Sequence, residues 1–245
     1  MSKRISIEAI PDMPQIVAGD DIGEIIVDRS QQSGFELQEH DVLCVASKAV
    51  SFAENNIVRL DTIVPSDVAR RIHQSVPRKD VRAIQAIIDA TGDPSGSRLE
   101  VENNYVGGWL PNGLLLTSAG VDKLGSEKLI LLPDNADASA RAIGYRILEL
   151  TGVNVAVVIT DSEGRPDKRG SAQIAIGVYG LPPLRVSEAE DEDGKMKKSE
   201  ETVCDMLAAS AGLLMGQRGF NQPAVIIRGF EYEVNRSATI KEALN

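Results

Sequence analysis

Two aspartates in this chain leave apolar segments in settings where a carboxylate can do chemistry. Asp161 and Ser162 follow an apolar stretch expected to be a strand over 153–160, and Arg165, Lys168 and Arg169 come next around a Gly-Arg-Pro turn. A carboxylate and a hydroxyl at a strand end are hard oxygen ligands on a rigid support, which suits a divalent cation held near a phosphate chain. The basic residues beyond could then grip an anionic substrate. The same stretch also reads as an ordinary turn with solvated charges. Asp122 has the same design, because LLLTSAGVD brings it out of an apolar segment after small residues. A glycine-rich turn, MGQRGF at 215–220, reads either as a helix C-cap with Gly216 left-handed or as a loop whose amides approach an anion.

Composition narrows the chemistry. Only two histidines, His40 and His73, occur in 245 residues, so histidine zinc sites and Ser-His-Asp triads have almost no raw material. A metal here must be held by oxygen, which points to Mg²⁺ or Mn²⁺. Cys44 and Cys204 are too isolated for a disulfide framework or a thiolate cage and read as small core residues. A net charge of −10 disfavours nucleic acid and anionic membranes as partners. No apolar run approaches a membrane span, and MSKRISIEAIPDMP lacks a signal-peptide pattern, so the expected location is the cytoplasm. Neither G-x-x-x-x-G-K-[ST] nor a G-x-G-x-x-G after a strand is present, so any nucleotide site must be of an uncommon type.

The elements that must position these residues follow from periodicity. Strands are expected near the N-terminus, over 42–46 ending at Ser47 and Lys48, in AQIAIGVYG and in PAVIIRGF; RLEVENNYVGGWLPNGLLLTSAGVD reads as a hairpin turning at Pro111, Asn112 and Gly113. Helices are expected from Asp20 and Asp21, over 66–75, 80–91 and 137–150, and from 200 to 215. The span 89–97 reads as a flexible joint, 181–199 as mostly polar loop, and the acidic run 188–201 as solvated by default. Strands too apolar for a half-wet sheet, irregularly interleaved with helices, define an α+β (mixed α/β) class in one domain over 1–245 with two possible lobes.

The segments DMPQIVAGDDI, VASKAVSFAE, SAGVD, RILELTGVNVAVVITDSEGRPDKRG, AIGVYGLPPL, GLLMGQ and PAVIIRG, in this order across nearly the whole chain, resemble the coenzyme F420-0:γ-glutamyl ligase family. The resemblance implies a GTP- and divalent-metal-dependent ligase that adds L-glutamate to a deazaflavin, F420-0, through an acyl phosphate. It further implies a homodimer of two-lobed subunits, Mg²⁺ or Mn²⁺, and a monovalent cation as an additional candidate. Carried over by position, Asp122, Asp161 and Ser162 match metal ligands, and Gln217 matches a ligand to a second ion. Asp12, Met13, Pro14, Ser47, Lys48, Met215, Gly216, Gln217 and Gly219 fall in nucleotide-contacting segments, and Arg165 and Arg169 are expected to neutralise developing charge. Asp191, Gly194 and Asp205 fit a pattern on the deazaflavin side.

Three departures stand out. Phe52 occupies a place where the family commonly has lysine, Gly125 replaces an asparagine, and the turn after Asp161 carries Glu163 and Asp167 where asparagine and an aromatic are usual. Losing one charge-assisted hydrogen bond costs roughly 1.5 to 3 kcal/mol, enough to weaken a nucleotide about tenfold. These changes keep two further readings open: the same ligation on a different acid-bearing phosphate metabolite, and a catalytically silent relative that binds a ligand without turnover.

Overall fold

A computed structural model describes residues 4–102, 105–164, 168–217 and 221–245. The chain opens with β1 (Ser6–Ala9), α1 (Ile22–Gln32), β2 (Val42–Ala46) and α2 (Ser47–Ala53). An excursion follows: β3 (Ile57–Arg59), α3 (Asp67–Ser75), α4 (Val81–Thr91), β4 (Leu99–Glu102), β5 (Tyr105–Trp109), β6 (Leu115–Thr117), β7 (Asp122–Leu124) and β8 (Lys128–Ile130). It returns through α5 (Ala136–Thr151), β9 (Ala156–Gly164), β10 (Ser171–Tyr179), β11 (Leu184–Glu190), β12 (Met196–Thr202), α6 (Val203–Met215) and β13 (Ala224–Arg228). This is the mixed α and β class expected, and among the described residues no helix is long and apolar enough to cross a membrane.

The central sheet has the order β1-β13-β2-β9-β10, with β2 and β9 parallel and every other neighbour antiparallel. Alternation along its strands splits the apolar residues between two cores. Leu43, Val45, Val157 and Ile159 face α1 and α5, where Ile26, Ile143 and Ile147 meet them. Val42, Cys44, Ala156 and Val158 face α6, against Cys204, Leu207 and Ala211. A sheet covered on both faces needs strands without polar alternation, which is why β2 reads as a continuous apolar run. Both cysteines lie in the core, and burial pushes their thiols up. A third core gathers Ala69, Ile84, Ile87 and Ile88 with Val106 and Leu129 in the excursion.

The helix starts have local causes. Asp21 accepts a hydrogen bond from Glu24 N at 2.9 Å, Ser66 from Ala69 N at 3.2 Å and Asn135 from Ala138 N at 3.0 Å, each satisfying an amide the first turn leaves unpaired. The hairpin turn at 111–113 closes through Gly113 N to Leu110 O at 3.0 Å. The span 89–97 holds the end of α4, left-handed Gly92, and a turn in which Asp93 accepts from the Ser95 and Ser97 hydroxyls, each at 2.7 Å.

Three expectations are corrected. The 181–199 stretch is not mainly loop: β11 and β12 form an antiparallel ribbon through the acidic run, with Arg185 opposite Glu201 at 2.7 Å and Glu188 in register with Lys198. Asp191 closes its turn by accepting from Asp193 N and Lys195 N at 3.0 and 2.9 Å. Arg185–Glu201 and Lys197–Asp191 pair opposite charges within the ribbon, and Lys198 pairs with Glu200 on its own strand at 2.7 Å, contacts that composition alone does not reveal. Consequently α6 starts at Val203, after the ribbon. Finally, β9 does not end at Thr160 but runs on to Gly164, because β10 continues to pair with it, Ile174 opposite Asp161 and Gln173 opposite Ser162.

Candidate active site

The unequal lengths of β2 and β9 open the site. Their parallel pairing stops at Ala46 and Thr160, where the chain of β2 turns into α2. From Asp161 onward β9 pairs with β10, and no strand forms a ladder with its other edge among the described residues. The vacated edge becomes a cavity of about 270 Å³. A ligand position at the carboxyl end of a parallel strand pair is where open mixed sheets commonly bind.

The cavity wall has two chemically different halves. On the side of β9 toward α2, Ser47 donates to Asp161 Oδ1 at 2.7 Å, and Lys48 reaches Asp122 Oδ2 at 2.9 Å. Toward α6, Ser162 and Gln173 stand side by side in register, near Met215, Gly216 and Gln217 at the helix end. Ser47 is buried and α2 places Lys48 beside it, half exposed, so one helix start supplies both a hydroxyl and a cation. Burial pushes the Asp161 carboxyl up from its ordinary 3.8 to about 6, and the like charge of Asp122 adds to the rise, while the Ser47 hydrogen bond opposes it.

That electrostatic cost is the mark of carboxylates gathered without full compensation. Two aspartates, the Ser47 and Ser162 hydroxyls and the Gln217 amide form an oxygen-rich donor set that fits a hard divalent cation. The set has only two carboxylates: among the described residues no group of three or more His, Cys, Asp or Glu could hold a metal. The remaining coordination would therefore have to come from neutral oxygens, the hydroxyls, the amide and water.

The structure brings together most of the residues singled out in the sequence. Pro14, Ser47, Lys48, Asp122, Asp161, Ser162, Met215, Gly216 and Gln217 all line the cavity. Asp12 lies at a positive-φ turn and Met13 is buried, so neither reaches the wall, although Met13 O accepts from Asn221 Nδ2 at 3.3 Å. Arg169 is exposed and is not part of the cavity wall. Arg165 and Gly219 lie outside the described residues. Gly216 ends α6 with a positive φ of 61° and ψ at −169°, a conformation glycine favours but not the left-handed helical one that the cap reading offered. Phe52 does line the wall, where its ring offers no hydrogen bond. Asp191 serves the ribbon turn, and Asp205 accepts from Ala175 N at 2.9 Å, tying α6 to β10.

Sequence reasoning missed Gln173, Thr160 and Gln15 in the wall. The alternation of β10 could have placed Gln173 on the α6 face, had β9 been read to its full length.

A polar, carboxylate-bearing cavity over the parallel strands of a helix-covered sheet defines a mixed α/β protein built to bind a small ligand at its strand ends. A model of the F420-0:Gamma-glutamyl ligase family matches residues 11–229. The chain is 34% identical over 238 residues to the coenzyme F420:L-glutamate ligase of Methanosarcina barkeri, covering 96% of this chain and 89% of that protein. It is also 34% identical to proteins of the same name from Methanopyrus kandleri, over 95% of this chain and 90% of the relative, and from Haloarcula marismortui, over 91% and 87%. The chain belongs to the F420-0:gamma-glutamyl ligase family.

Proposed function

We propose that this protein joins L-glutamate in amide linkage to the deazaflavin F420-0, using GTP and a divalent cation, Mg²⁺ or Mn²⁺. One observation supports the site assignment above the rest: Asp122 and Asp161, 39 positions apart in the sequence, line one cavity with Lys48. Family membership and the names of its relatives support the reaction.

In this reading an acceptor carboxylate oxygen attacks the γ-phosphorus, the bond to the leaving GDP oxygen breaks, and an acyl phosphate forms. The glutamate amine then attacks the acyl carbon, phosphate departs with the bonding pair, and the amine loses a proton. A bound cation supplies positive charge to the phosphate oxygens. Asp122 and Asp161 would hold it through oxygen, with Ser162 and Gln217 as further donors. Ser47 fixes the Asp161 carboxylate by its hydrogen bond. Lys48 pairs with Asp122 at 2.9 Å and, with that carboxylate engaged elsewhere, would be free to neutralise phosphate charge. Arg165, outside the described residues, and Arg169, outside the cavity wall, follow Asp161 in sequence and would add positive charge only by reaching the bound phosphates. No side chain acts as a nucleophile, so catalysis is positioning and electrostatics.

The test is purified protein with GTP, Mn²⁺, glutamate and F420-0, read by the mass of the product. A product heavier by one glutamate residue, lost on Asp161→Ala, supports the reading; glutamate-dependent GTP hydrolysis that persists at an unchanged rate in that variant sinks it. Phe52 in the cavity wall favours a second reading, the same chemistry on another acid-bearing phosphate metabolite. A panel of acceptors in the same assay decides between them. We read the subunit as half of a homodimer, since Val186 and Met196 on the ribbon and Leu213 on α6 are exposed at 51, 61 and 77%; sedimentation at monomer mass would refute this.

A further inference from the structure

The two aspartates come from different sheets, and one carboxylate joins the segments that carry them. Glu163 stands two positions beyond Asp161 on the same face of β9. It accepts hydrogen bonds from the Thr117 backbone N at 2.9 Å and from the Thr117 hydroxyl. Thr117 ends β6, and the chain reaches Asp122 through Ser118, Ala119 and Gly120, whose φ angles are 56°, 49° and 72°. Left-handed backbone is natural for the glycine but disfavoured for serine and alanine, so this turn persists only where its surroundings hold it. At its far side Lys79, from the connection between α3 and α4, donates to Ser118 Oγ at 2.8 Å.

The turn is thus tethered at both flanks, and the tether to β9 is the one that relates the two aspartates. We propose that Glu163 is a positioning residue whose paired hydrogen bonds to Thr117 set the separation of Asp122 from Asp161, and so the affinity of the site for its divalent cation. The proposal rests on the cation reading above. Glu163 itself need not touch the ion. Partners that orient metal ligands commonly change affinity by roughly 10- to 100-fold when removed.

Mn²⁺ alone, titrated into the full chain and followed by electron paramagnetic resonance, is the direct probe. Glu163→Ala is expected to weaken Mn²⁺ binding by about tenfold or more and to raise the apparent KM for Mn²⁺, while kcat recovers at saturating Mn²⁺. Glu163→Gln retains an oxygen that accepts from the Thr117 N–H and should restore most of the affinity. Thr117→Val deletes only the hydroxyl and should fall between them; it decides the matter if Glu163→Ala does not fold. A merely structural Glu163 would lower the melting temperature and leave Mn²⁺ affinity within about twofold of the unaltered chain, which overturns the proposal. If the unaltered chain binds no Mn²⁺, the cation reading falls and this proposal with it.

Discussion

Asp161 and Asp122 line the same cavity yet are supported in opposite ways. Asp161 sits in a nine-residue strand of the central sheet, preceded by five strand residues each 1% exposed or less and flanked by helices on both faces. Asp122 opens a three-residue strand at the edge of the sheet β3-β8-β7, is more than half exposed, and is paired with Lys48. An exposed ion pair is worth about 0–1 kcal/mol, so Asp122 can exchange its partner at little cost. Asp161 is helped by the Ser47 hydroxyl, the Ser162 backbone N–H and the charge of Lys48, yet burial and the like charge of Asp122 outweigh them and leave a net electrostatic penalty. One carboxylate is thereby fixed and strained, the other adjustable and content.

The contrast breaks if the two carboxylates prove equivalent. If Asp161 holds the cation as proposed, Asp161→Asn should lower the ligation rate by roughly three orders of magnitude, because several kcal/mol of cation-borne stabilisation would then rest on it. Asp122→Asn should cost less, on the order of 100-fold, since water can enter an exposed position. Steady-state kinetics at fixed Mn²⁺ compares them. Stability should move the other way. A carboxyl whose folded pKa is about 6 against an ordinary 3.8 keeps its proton longer in the folded chain than in the unfolded one. Its unfavourable contribution grows as pH rises from about 4 to 6 and is complete above that. Two pKa units correspond to at most roughly 3 kcal/mol. Asp161→Asn, in chelator at pH 8, should therefore be more stable than the unaltered chain by up to that amount. The advantage should vanish near pH 4, while Asp122→Asn changes stability by less than about 1 kcal/mol. Urea melts at both pH values measure this.

Lys48 sharpens the comparison at smaller amplitude. If its pairing with Asp122 is only a resting arrangement, Lys48→Met should weaken nucleotide binding by about tenfold, the loss of one charge-assisted contact. Stability without ligand should change by less than about 1 kcal/mol. Calorimetry with GTP alongside a thermal melt separates the two effects; a large stability loss with unchanged GTP affinity would make the ion pair structural.

What could be read along the chain follows the same division. β2 announces itself as an unbroken apolar run and α1 through its Asp21 cap, because burial on both faces and an unpaired helix amide are local demands. Asp161 and Asp122 could be picked out as carboxylates following apolar segments, and the resemblance joined them. What stayed hidden depends on partners distant in sequence. The length of β9 is set by β10, the ribbon by charges that meet only when β11 and β12 pair, and the hold on the Asp122 turn by Glu163, 46 positions from Thr117. No periodicity encodes such a contact. Arg165 and Gly219, chosen from the resemblance, fall outside the described residues.

The smallest effect concerns Phe52, which belongs to the fixed side of the site but faces the adjustable one. Its ring packs against the core beneath the central sheet and also lines the cavity, at the end of the helix that begins with Ser47 and Lys48. Phe52→Lys would keep part of that packing through the methylene stem while carrying an ammonium toward the cavity. If the charged half of the cavity holds phosphates, GTP should bind more tightly, by no more than about tenfold because the new group remains partly solvated. Lost ring burial should cost about 1–2 kcal/mol of stability, so calorimetry belongs beside a urea melt. Tighter GTP with no gain in ligation would mean that the acceptor, not the nucleotide, is what Phe52 suits. Weaker GTP in a folded variant would place the phosphates elsewhere and remove Lys48 from their company.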